Sequence, residues 1–538
     1  MNNSITFLDA IVLFLFVIAT LAIGLYVKSS DKNLKDYFLA GRKLGWFAIG
    51  ISLFASNISS EHFIGLAGGG ASRGLAVAQF ELIAIFFLVL LGWIIVPIYW
   101  QSGISTIPQF IGERFDSANR KFLSGLSIFS YILTKVLVTL FAGGILLNHI
   151  FGWSIFTSSI LIILITGIYT LIGGFSSVIR TQVFHGILLI VGAVLLTAFG
   201  YAEVGGIQGL REKLPAELFQ MFKAADDPDF PWTGIIFGAP IIAFWYWCAD
   251  HYMLQRILSA RSVEDARTGT IITSFLKILP LFVLVLPGLF AVALFPGIRG
   301  DEAFPLLVSS EILPSGIKGL VIAGFLAAIM SSLSTSFNSI ASLYTIDFYQ
   351  PKHPDASEVK LVFIGRMATI TTIFVIVMMV PFIKLMNSHI YLFLQSTQAF
   401  ISAPIAVIFL FSFINTKVSA KSALLGLIIG ETVGLSRFLL ELLHNSGLTL
   451  NPLLAAFVGI NYLHFTIFLF LFTSILILIL NYVFHVGKEF SNSKLKFDYS
   501  GFFISINKNF INTQKSIKQA LFSFFILLVT LSLWYMFV

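Results

Sequence analysis

Residues 51–70 read ISLFASNISSEHFIGLAGGG, a segment long enough to cross a bilayer but with Ser, Asn, Glu and His at its centre. A second segment, 234–256, reads GIIFGAPIIAFWYWCADHYMLQR and carries Gly238 and Pro240 inside its apolar run. Glycine weakens a helix, and proline removes a backbone donor and clashes with the preceding turn. Two interrupted helices predict unwound backbone at membrane depth, where carbonyls and amides are free for a ligand.

The rest of the chain surrounds these segments with apolar runs. Of its 538 residues, 57% are hydrophobic and 11% charged, and the mean hydropathy is +0.93. A soluble domain has about 25% charged residues because water must solvate its surface, so this composition requires lipid as the solvent. We expect an all-α polytopic membrane protein with about fourteen spans, at 5–27, 45–70, 76–100, 123–147, 153–172, 182–203, 234–258, 268–296, 310–347, 361–382, 390–412, 419–444, 460–485 and 518–538.

The two interrupted segments are the first members of two sets of five spans. We expect a single membrane transporter domain over 1–538, with a first inverted repeat at 45–203 and a second at 234–444. The expected peripheral helices are 5–27, 460–485 and 518–538. Matching interruptions in two halves are typical of secondary transporters, whose site lies at the break. The alternative is that glycine and proline only kink two packed helices.

Lys and Arg are distributed unequally between the two sides of this bundle. The net charge is +7, and most basic residues fall in the connections opposite the two termini. Because basic residues accumulate in cytoplasmic connections, we expect both termini outside, in a plasma or bacterial inner membrane. We expect the lipid bilayer, and not nucleic acid, as the partner of this charge. The only cysteine, Cys248, excludes an intrachain disulfide and a multi-cysteine metal cluster.

Several ionisable residues lie within predicted spans: Glu61, His62, Glu81, Lys135, Asp250 and Lys277. Each costs about 2.5–3.5 kcal/mol near mid-membrane on insertion scales, so each requires a reason. Glu81 in AVAQFELIAIFF and Lys277 in IITSFLKILPLF lie in deeply apolar stretches. They can pair across a cavity, or hydrogen-bond a polyhydroxyl solute, whose hydroxyls both donate and accept. An ion pair that only stabilises the bundle is the alternative.

Other polar and aromatic residues are candidates for the same site. His62 follows Asn57 by five residues on the interrupted segment, which favours a ligand role over a packing role. The aromatic run 245–247 can stack on the apolar face of a sugar ring or close a gate; the alternative is interfacial anchoring. Gln395 adds an amide in the middle of a span. Without a second histidine or acid at ligand spacing, we expect no transition-metal site.

The stretch 324–347, GFLAAIMSSLSTSFNSIASLYTID, is unusually rich in hydroxyl groups. A hard monovalent cation requires several neutral oxygens, and adjacent Ser331 and Ser332 can supply two of them opposite the freed carbonyls of a broken helix. The alternative is close helix–helix packing, for which small hydroxyl residues are also common in membranes.

At these residues the sequence resembles the sodium/solute symporter family, including the sodium/glucose and sodium/myo-inositol cotransporters, from about residue 35 to beyond 430. The resemblance implies the leucine-transporter-like fold with a five-plus-five inverted repeat. Several long motifs in the same order carry it: FASNISSEHFIGLAGGGASRGLA (54–76), GWIIVPIYWQSGISTIPQFIGERF (92–115), YTLIGGFSSV (169–178), WYWCADHYMLQRILSARS (245–262) and LAAIMSSLSTSFNSIASLYTIDFY (326–349).

The resemblance also implies roles for individual residues. The solute contacts would be Asn57, His62, Glu81, Trp247, Lys277 and Gln395. The inner gate would be Tyr246, and the outer lid Leu66, Phe80 and Tyr391. The sodium ion would bind the backbone oxygens of Ala55, Ile58 and Ala328 and the hydroxyls of Ser331 and Ser332.

Three positions depart from the family pattern. Leu82 stands where many sugar-transporting relatives have Trp, and Ala243 removes one possible hydrogen bond to the sugar. Gln182 stands where many relatives carry Asp, so we expect one sodium per solute. The sequence thus predicts a sodium-coupled symporter, not an enzyme, that imports a neutral hexose by alternating access. Alternatives are a myo-inositol or other polyol symporter, a proton-coupled sugar transporter using His62 or Glu81, and a sugar sensor that does not transport.

Overall fold

The computed structural model describes residues 5–26, 33–381, 390–414, 417–484 and 514–537. These residues are almost entirely helical, and the only β structure among them is two isolated bridges. We number the membrane spans in chain order. They are Phe7–Tyr26 (span 1), Trp46–Asn57 with Ser60–Arg73 (2), Gln79–Leu90 continuing to Ser102 (3), Ser117–Phe151 (4), the two halves of Ile155–Val204 (5 and 6), Trp232–Ala249 with His251–Leu258 (7), Val263–Leu294 (8), Ile317–Lys352 (9), Glu358–Met379 (10), Ile390–Ile414 (11), Ala420–Asn445 (12), Tyr462–Phe484 (13) and Gln514–Met536 (14).

Spans 5 and 6 follow each other without a connecting loop in one helical segment of 50 residues, Ile155–Val204. A straight helix of that length would measure about 75 Å, more than twice the ~30 Å hydrocarbon core of a bilayer. Gly174 adopts φ +55° and ψ −156° and divides the helix into two spans. A side chain would be strained there, and Tyr37 packs directly against the glycine. The described residues contain twelve helices long and apolar enough to cross a membrane. Dividing Ile155–Val204 at Gly174, and joining Ser60–Arg73 to Trp46–Asn57 as a span separate from 79–102, gives the predicted number of about fourteen.

Short helices connect the spans: Leu34–Leu39, Ile107–Arg114, Gly206–Lys213, Ala303–Ser309 and Pro452–Gly459. Single 3₁₀ turns lie at Ala40–Arg42, Gly74–Ala78, Ala216–Phe219, Gly300–Glu302 and Gln350–Lys352. π-helical turns interrupt five spans, at Leu91–Ile95, Tyr131–Leu137, Trp245–Ala249, Leu281–Val285 and Tyr344–Tyr349. Such turns often occur at functional sites, and the turns at 131–137 and 245–249 carry side chains of the cavity described below.

Span 2 breaks where the sequence predicts. Trp46–Asn57 ends, Ile58 is extended at φ −77° and ψ 115°, and a new helix starts after Ser59. Ser59 caps that helix, and its backbone N–H donates to His62 Nδ1 at 3.4 Å. The last carbonyls of the first half have no helical partner because the next residues leave the helix.

Span 7 breaks at a different residue from the one expected. Gly238 keeps helical angles (φ −92°, ψ −48°), and Pro240 lies in the first turn of Ala239–Phe244, where its missing N–H costs little. The chain becomes extended at Asp250 (φ −85°, ψ 121°), whose carboxylate caps His251–Leu258 by accepting from Tyr252 N at 3.1 Å. The interruption follows from an acidic cap and not from glycine or proline.

Span 9 forms the centre of the bundle. In its most apolar window 89% of the residues are buried, compared with 22% for span 1, 33% for span 13 and 28% for span 14. It packs along both halves of Ile155–Val204, with Gly192 and Gly324 allowing close backbone approach. The serines and threonines of the hydroxyl-rich stretch, from Ser331 to Thr345, are thus all buried in protein, whereas Tyr344 of the same stretch is exposed. The division into two inverted repeats stays a prediction.

Candidate functional site

A central cavity lies between the breaks of spans 2 and 7 and side chains of spans 3, 4, 8 and 11. Its lining is Asn57, Glu61, His62, Phe80, Glu81, Ala84, Lys135, Ile242, Ala243, Tyr246, Trp247, Lys277, Leu394, Gln395 and Gln398. All six residues predicted to contact the solute are among them. The cavity volume is about 50 Å³, below the roughly 300–1,000 Å³ of typical ligand pockets. A hexose therefore fits only when lining side chains move apart.

Lys277 is the hub of this lining. Its Nζ contacts the Glu81 carboxylate, donates to Asn57 Oδ1 at 2.6 Å and lies 5.6 Å from the centroid of the Trp247 ring. The side chains of Lys277 and Glu81 are only 1% and 4% exposed. Two charges this deeply buried require each other, because either one alone would lack compensation for its lost hydration.

The sequence around Lys277 places its ammonium in the cavity. Val263–Leu276 ends just before it, and Pro280 and the π-helical turn Leu281–Val285 follow. The regular α-helical hydrogen-bond pattern is thus interrupted on the C-terminal side of the lysine. Glu81 lies in the first turn of Gln79–Leu90, near the lining from span 2.

His62 links the break of span 2 to the ion pair. Its Nδ1 accepts from Ser59 N, so the neutral ring carries its proton on Nε2, which lies 3.7 Å from Glu81 Oε1. The His62 ring also contacts the ring of Tyr391, with 6.3 Å between centroids. The break thus aims a donor at the cavity.

Tyr246 lies on the other side of the cavity, in the π-helical turn before the break of span 7. Its hydroxyl accepts from Asn57 Nδ2 at 3.1 Å, and Lys135 Nζ lies 4.1 Å from the centroid of its ring. Asp250 accepts from the Tyr131 hydroxyl close by. The phenol thus ties the two broken helices together, and the role of Tyr246 as the inner gate stays a prediction.

The residues of the predicted outer lid are only partly assembled at the cavity. Phe80 lines it, and Tyr391 packs against Phe80 with 6.1 Å between ring centroids. A Cβ added at Gly65 would lie 2.8 Å from Tyr391 Cβ, so the glycine makes room for that ring. Leu66 is fully buried but is not part of the lining.

The lining also contains groups for which no role was predicted. Gln398 lies one turn after Gln395 and adds a second amide; the spacing in QSTQ is a signal that could have identified it. Glu61 and Lys135 stood out as ionisable residues but carried no assignment. Glu61 contacts the Ser59 hydroxyl and accepts from Thr139 Oγ1 at 3.1 Å.

The group predicted to hold sodium lies where span 2 meets span 9. Ser331 Oγ is buried and has no hydrogen-bond partner among the described residues. Ser332 Oγ donates to Ser56 O at 3.3 Å, joining the two spans directly. In the described part of the chain, no hydrogen bond reaches the carbonyls of Ala55 and Ile58. Buried neutral oxygens without donors are the ligands a hard monovalent cation requires.

Beside this group lies a buried guanidinium that the sequence did not suggest. Arg256 contacts the Ser56 hydroxyl and donates to Thr335 Oγ1 at 2.6 Å and Gln182 Oε1 at 3.2 Å. Gln182 in turn donates to Ser331 O at 3.2 Å. The amide of Gln182 is therefore used by the protein, and a positive charge lies next to it.

Comparison with known proteins gives consistent results. The profile of the sodium:solute symporter family matches residues 37–430. Sodium/glucose cotransporter 1 of Oryctolagus cuniculus is 34% identical over 519 residues, covering 88% of this chain and 78% of that protein. Sodium/myo-inositol cotransporter 2 of Bos taurus is 34% identical over 476 residues, covering 81% and 70%.

A solved structure is similar over most of the chain. It is a Na⁺-coupled sialic acid symporter in a substrate-bound outward-open state, with a TM-score of 0.77 and 23% identity, covering 90% of this chain and all of that one. At this identity the likeness supports the fold alone. The predicted class, an all-α polytopic bundle of the leucine-transporter type, is confirmed.

Proposed function

The chain belongs to the sodium:solute symporter family, and we propose that it uses sodium entry to import a neutral hexose. The observation that carries the proposal is the central cavity. It gathers the donors of His62, Lys277 and Gln395, the acceptors of Asn57 and Glu81, and an indole ring from five spans.

The charge of this lining favours a neutral solute. Lys277 and Glu81 neutralise each other, so an anionic or cationic solute would find no unmatched charge in that pair. The hydroxyls of a sugar both donate and accept, and can therefore replace the contacts of the pair one by one. The Trp247 ring offers a surface for the apolar face of a pyranose.

Entry of the solute requires the pair to loosen. Lys277 Nζ donates a hydrogen bond to Asn57 Oδ1. The cavity that both residues line has a volume of about 50 Å³, which is too small for a hexose. We propose that the solute inserts between Lys277, Glu81 and Asn57, with His62 Nε2–H directed at it. Phe80 and Tyr391 then close above the solute, and Tyr246 moves to release it on the inner side.

Sodium drives this cycle only through different affinities for the outward and inward conformations. We propose that it binds Ser331, Ser332 and the carbonyls of Ala55, Ile58 and Ala328, which joins span 2 to span 9. Inward movement of one charge also gains about 2.3 kcal/mol per 100 mV when the inside is negative. Since Gln182 is already hydrogen-bonded beside Arg256, we propose one sodium per solute.

A cyclic polyol is the second candidate for the solute. The curated relatives include a sodium/myo-inositol cotransporter at the same 34% identity as a sodium/glucose cotransporter. The cavity supports both solutes, because both present a ring of hydroxyls. The asymmetry of basic residues further supports both termini outside, in a plasma or bacterial inner membrane.

The test is uptake into proteoliposomes with D-glucose, D-galactose and myo-inositol. We expect a sodium gradient to drive accumulation of at least one of them, and Ser331→Ala with Ser332→Ala to abolish the sodium dependence. Ser336→Ala is the matched control, because Ser336 lies on the same helix and its hydroxyl donates, within the part of the chain that the structure describes, only to Ser332 O at 3.0 Å. Equal accumulation in a sodium-free proton gradient would contradict the proposal.

A further inference from the structure

A second cavity lies among spans 11, 12 and 13 and the connection that precedes span 7, away from the central one. We call it the lateral cavity; its volume is about 580 Å³, within the usual range for small-molecule pockets. The polar and aromatic residues important here are Asp229, Phe393, Arg437, Phe438, Glu441 and Tyr462. The connections gathered around it are those we expect on the outer side.

Several polar atoms of the lateral cavity are buried without a hydrogen-bond partner. Arg437 is 2% exposed, and its Nη2 donates to Ile460 O at 2.6 Å, while Nε and Nη1 bond to nothing among the described residues. The same holds for Glu441 Oε2, which is 3.6 Å from Arg437 Nη1, and for the Tyr462 hydroxyl. Buried polar atoms are normally satisfied, so a cluster of orphans around one cavity indicates a polar occupant.

The protein holds the guanidinium in place independently of any occupant. The Arg437 Cζ lies 5.2 Å from the ring centroid of Phe400, 5.8 Å from that of Phe457 and 5.1 Å from that of Phe465. Stacking on aromatic faces is favourable for a weakly hydrated guanidinium and fixes its orientation. The orphan nitrogens are therefore positioned in advance, as in a binding site, and not left over from loose packing.

The charges in the lateral cavity select a neutral ligand. Arg437 and Glu441 lie close enough to cancel each other, and the Asp229 carboxylate is in contact with Arg73. An occupant must accept from Arg437, donate to Glu441 and exchange a hydrogen bond with Tyr462. The Phe393 and Phe438 rings, 6.1 Å apart, add an apolar wall. A compound with several hydroxyl groups on a carbon ring satisfies all of these groups.

We propose that the lateral cavity is a second binding site, for a neutral polyhydroxyl compound, outside the transport path. Span 11 separates the two cavities: Leu394, Gln395 and Gln398 face the central one, and Leu392, Phe393 and Ser396 face the lateral one. Tyr391, which packs on Phe80 above the central cavity, begins the same helix. A ligand in the lateral cavity thus lies against the back of the helix that carries the lid. The ligand class rests on the proposed function, whereas the site rests on its own orphan atoms.

The experiment is saturation-transfer NMR of D-glucose and myo-inositol with the full chain in phosphatidylcholine nanodiscs, with and without sodium. We expect a signal that persists without sodium and that falls about fivefold in Tyr462→Phe, the loss of one hydrogen bond. Arg437→Lys, which keeps the charge but loses the planar fork, should also lower it. Tyr482→Phe is the control on the same span, because Tyr482 is 77% exposed outside the cavity. Gln395→Leu, in the central lining, should leave the sodium-free signal intact.

Two results would overturn the site: no sodium-free signal in the unmodified protein, or an equal signal in Tyr462→Phe. In either case lipid headgroups or water fill the cavity. A stronger signal for D-gluconate than for D-glucose would overturn the neutral ligand class. Failure of the proposed function is distinguishable, because it would remove the sodium-stimulated part of the signal and leave the sodium-free part.

Discussion

The central and lateral cavities each bury a basic side chain, but they treat it in opposite ways. Lys277 is 1% exposed and is bonded to Glu81 and Asn57, and the central cavity beside it has a volume of about 50 Å³. Arg437 is 2% exposed and leaves two nitrogens unused beside about 580 Å³. A buried charge therefore does not by itself define a site. What matters is whether the protein satisfies the hydrogen-bonding atoms of the charged group, and so how many contacts a ligand must first break.

This contrast predicts a graded series of stability changes. Substituting a residue whose hydrogen-bond and charge partners all lie within the protein should destabilise the protein strongly. Substituting a residue whose polar atoms have no partner should lower the free energy of unfolding only a little. The four substitutions below run from the largest expected effect to the smallest, each measured as thermal unfolding in nanodiscs by intrinsic fluorescence.

Lys277→Met should have the largest effect. It leaves the Glu81 carboxylate buried without its partner, which costs about 3–5 kcal/mol, and it removes solute uptake. The added change Glu81→Gln should recover most of the stability but not the uptake. A Lys277→Met protein that unfolds at the temperature of the unmodified one would show that the pair is not a mutual requirement.

Arg437→Met should have an intermediate effect of about 1.5–3 kcal/mol, the worth of one hydrogen bond from a charged group. The bond lost is that from Nη2 to Ile460 O. Glu441, about a quarter exposed, can hydrate once its partner is gone. A loss as large as that of Lys277→Met would remove the contrast between the cavities.

Tyr246→Phe should cost about 0.5–1.5 kcal/mol, because it removes the hydrogen bond from Asn57 Nδ2 and keeps the ring under Lys135. Because this bond joins the two broken helices, uptake should change as well as stability. Tyr482→Phe, on an exposed part of span 13, is the control. No change in either property would argue against the gate.

Tyr462→Phe should have the smallest effect on unfolding without ligand, under about 0.5 kcal/mol, since its hydroxyl has no partner among the described residues. The same variant should lose the added thermal stability that high D-glucose gives the unmodified protein in sodium-free buffer. Destabilisation beyond 1 kcal/mol without ligand would mean that the hydroxyl bonds within the protein.

Much of the central site was predictable from sequence. Glu81 and Lys277 stand in strongly apolar stretches, so each signals a partner, and the polar centre of 51–70 signals the break in span 2. Span 7 was harder. Gly238 and Pro240 are strong local signals, yet the break lies at Asp250, because an acidic cap can end one helix and begin another. Only the position of its carboxylate in space shows that.

The lateral cavity gave no such signal. Glu441 and Tyr462 lie near the ends of spans, where charged and tyrosine residues are common at membrane interfaces, and Arg437 lies about two turns inside the end of span 12. Their burial depends on the folding of three spans and a connection around them. Likewise, Arg256 reads as an ordinary basic residue of an inner connection, but the structure places it beside Gln182 and Ser331.

The sequence alone determined the solvent, the approximate number of spans and the six residues predicted to contact the solute in the central cavity, because hydropathy and out-of-place polar groups are local properties of the chain. The tertiary structure decided which buried groups are satisfied. Lys277 pairs with Glu81, which lies nearly two hundred positions away in the sequence. Arg437 instead packs against aromatic rings from three segments and borders the lateral cavity. Partnership between distant side chains depends on how the helices pack, and local sequence does not contain it.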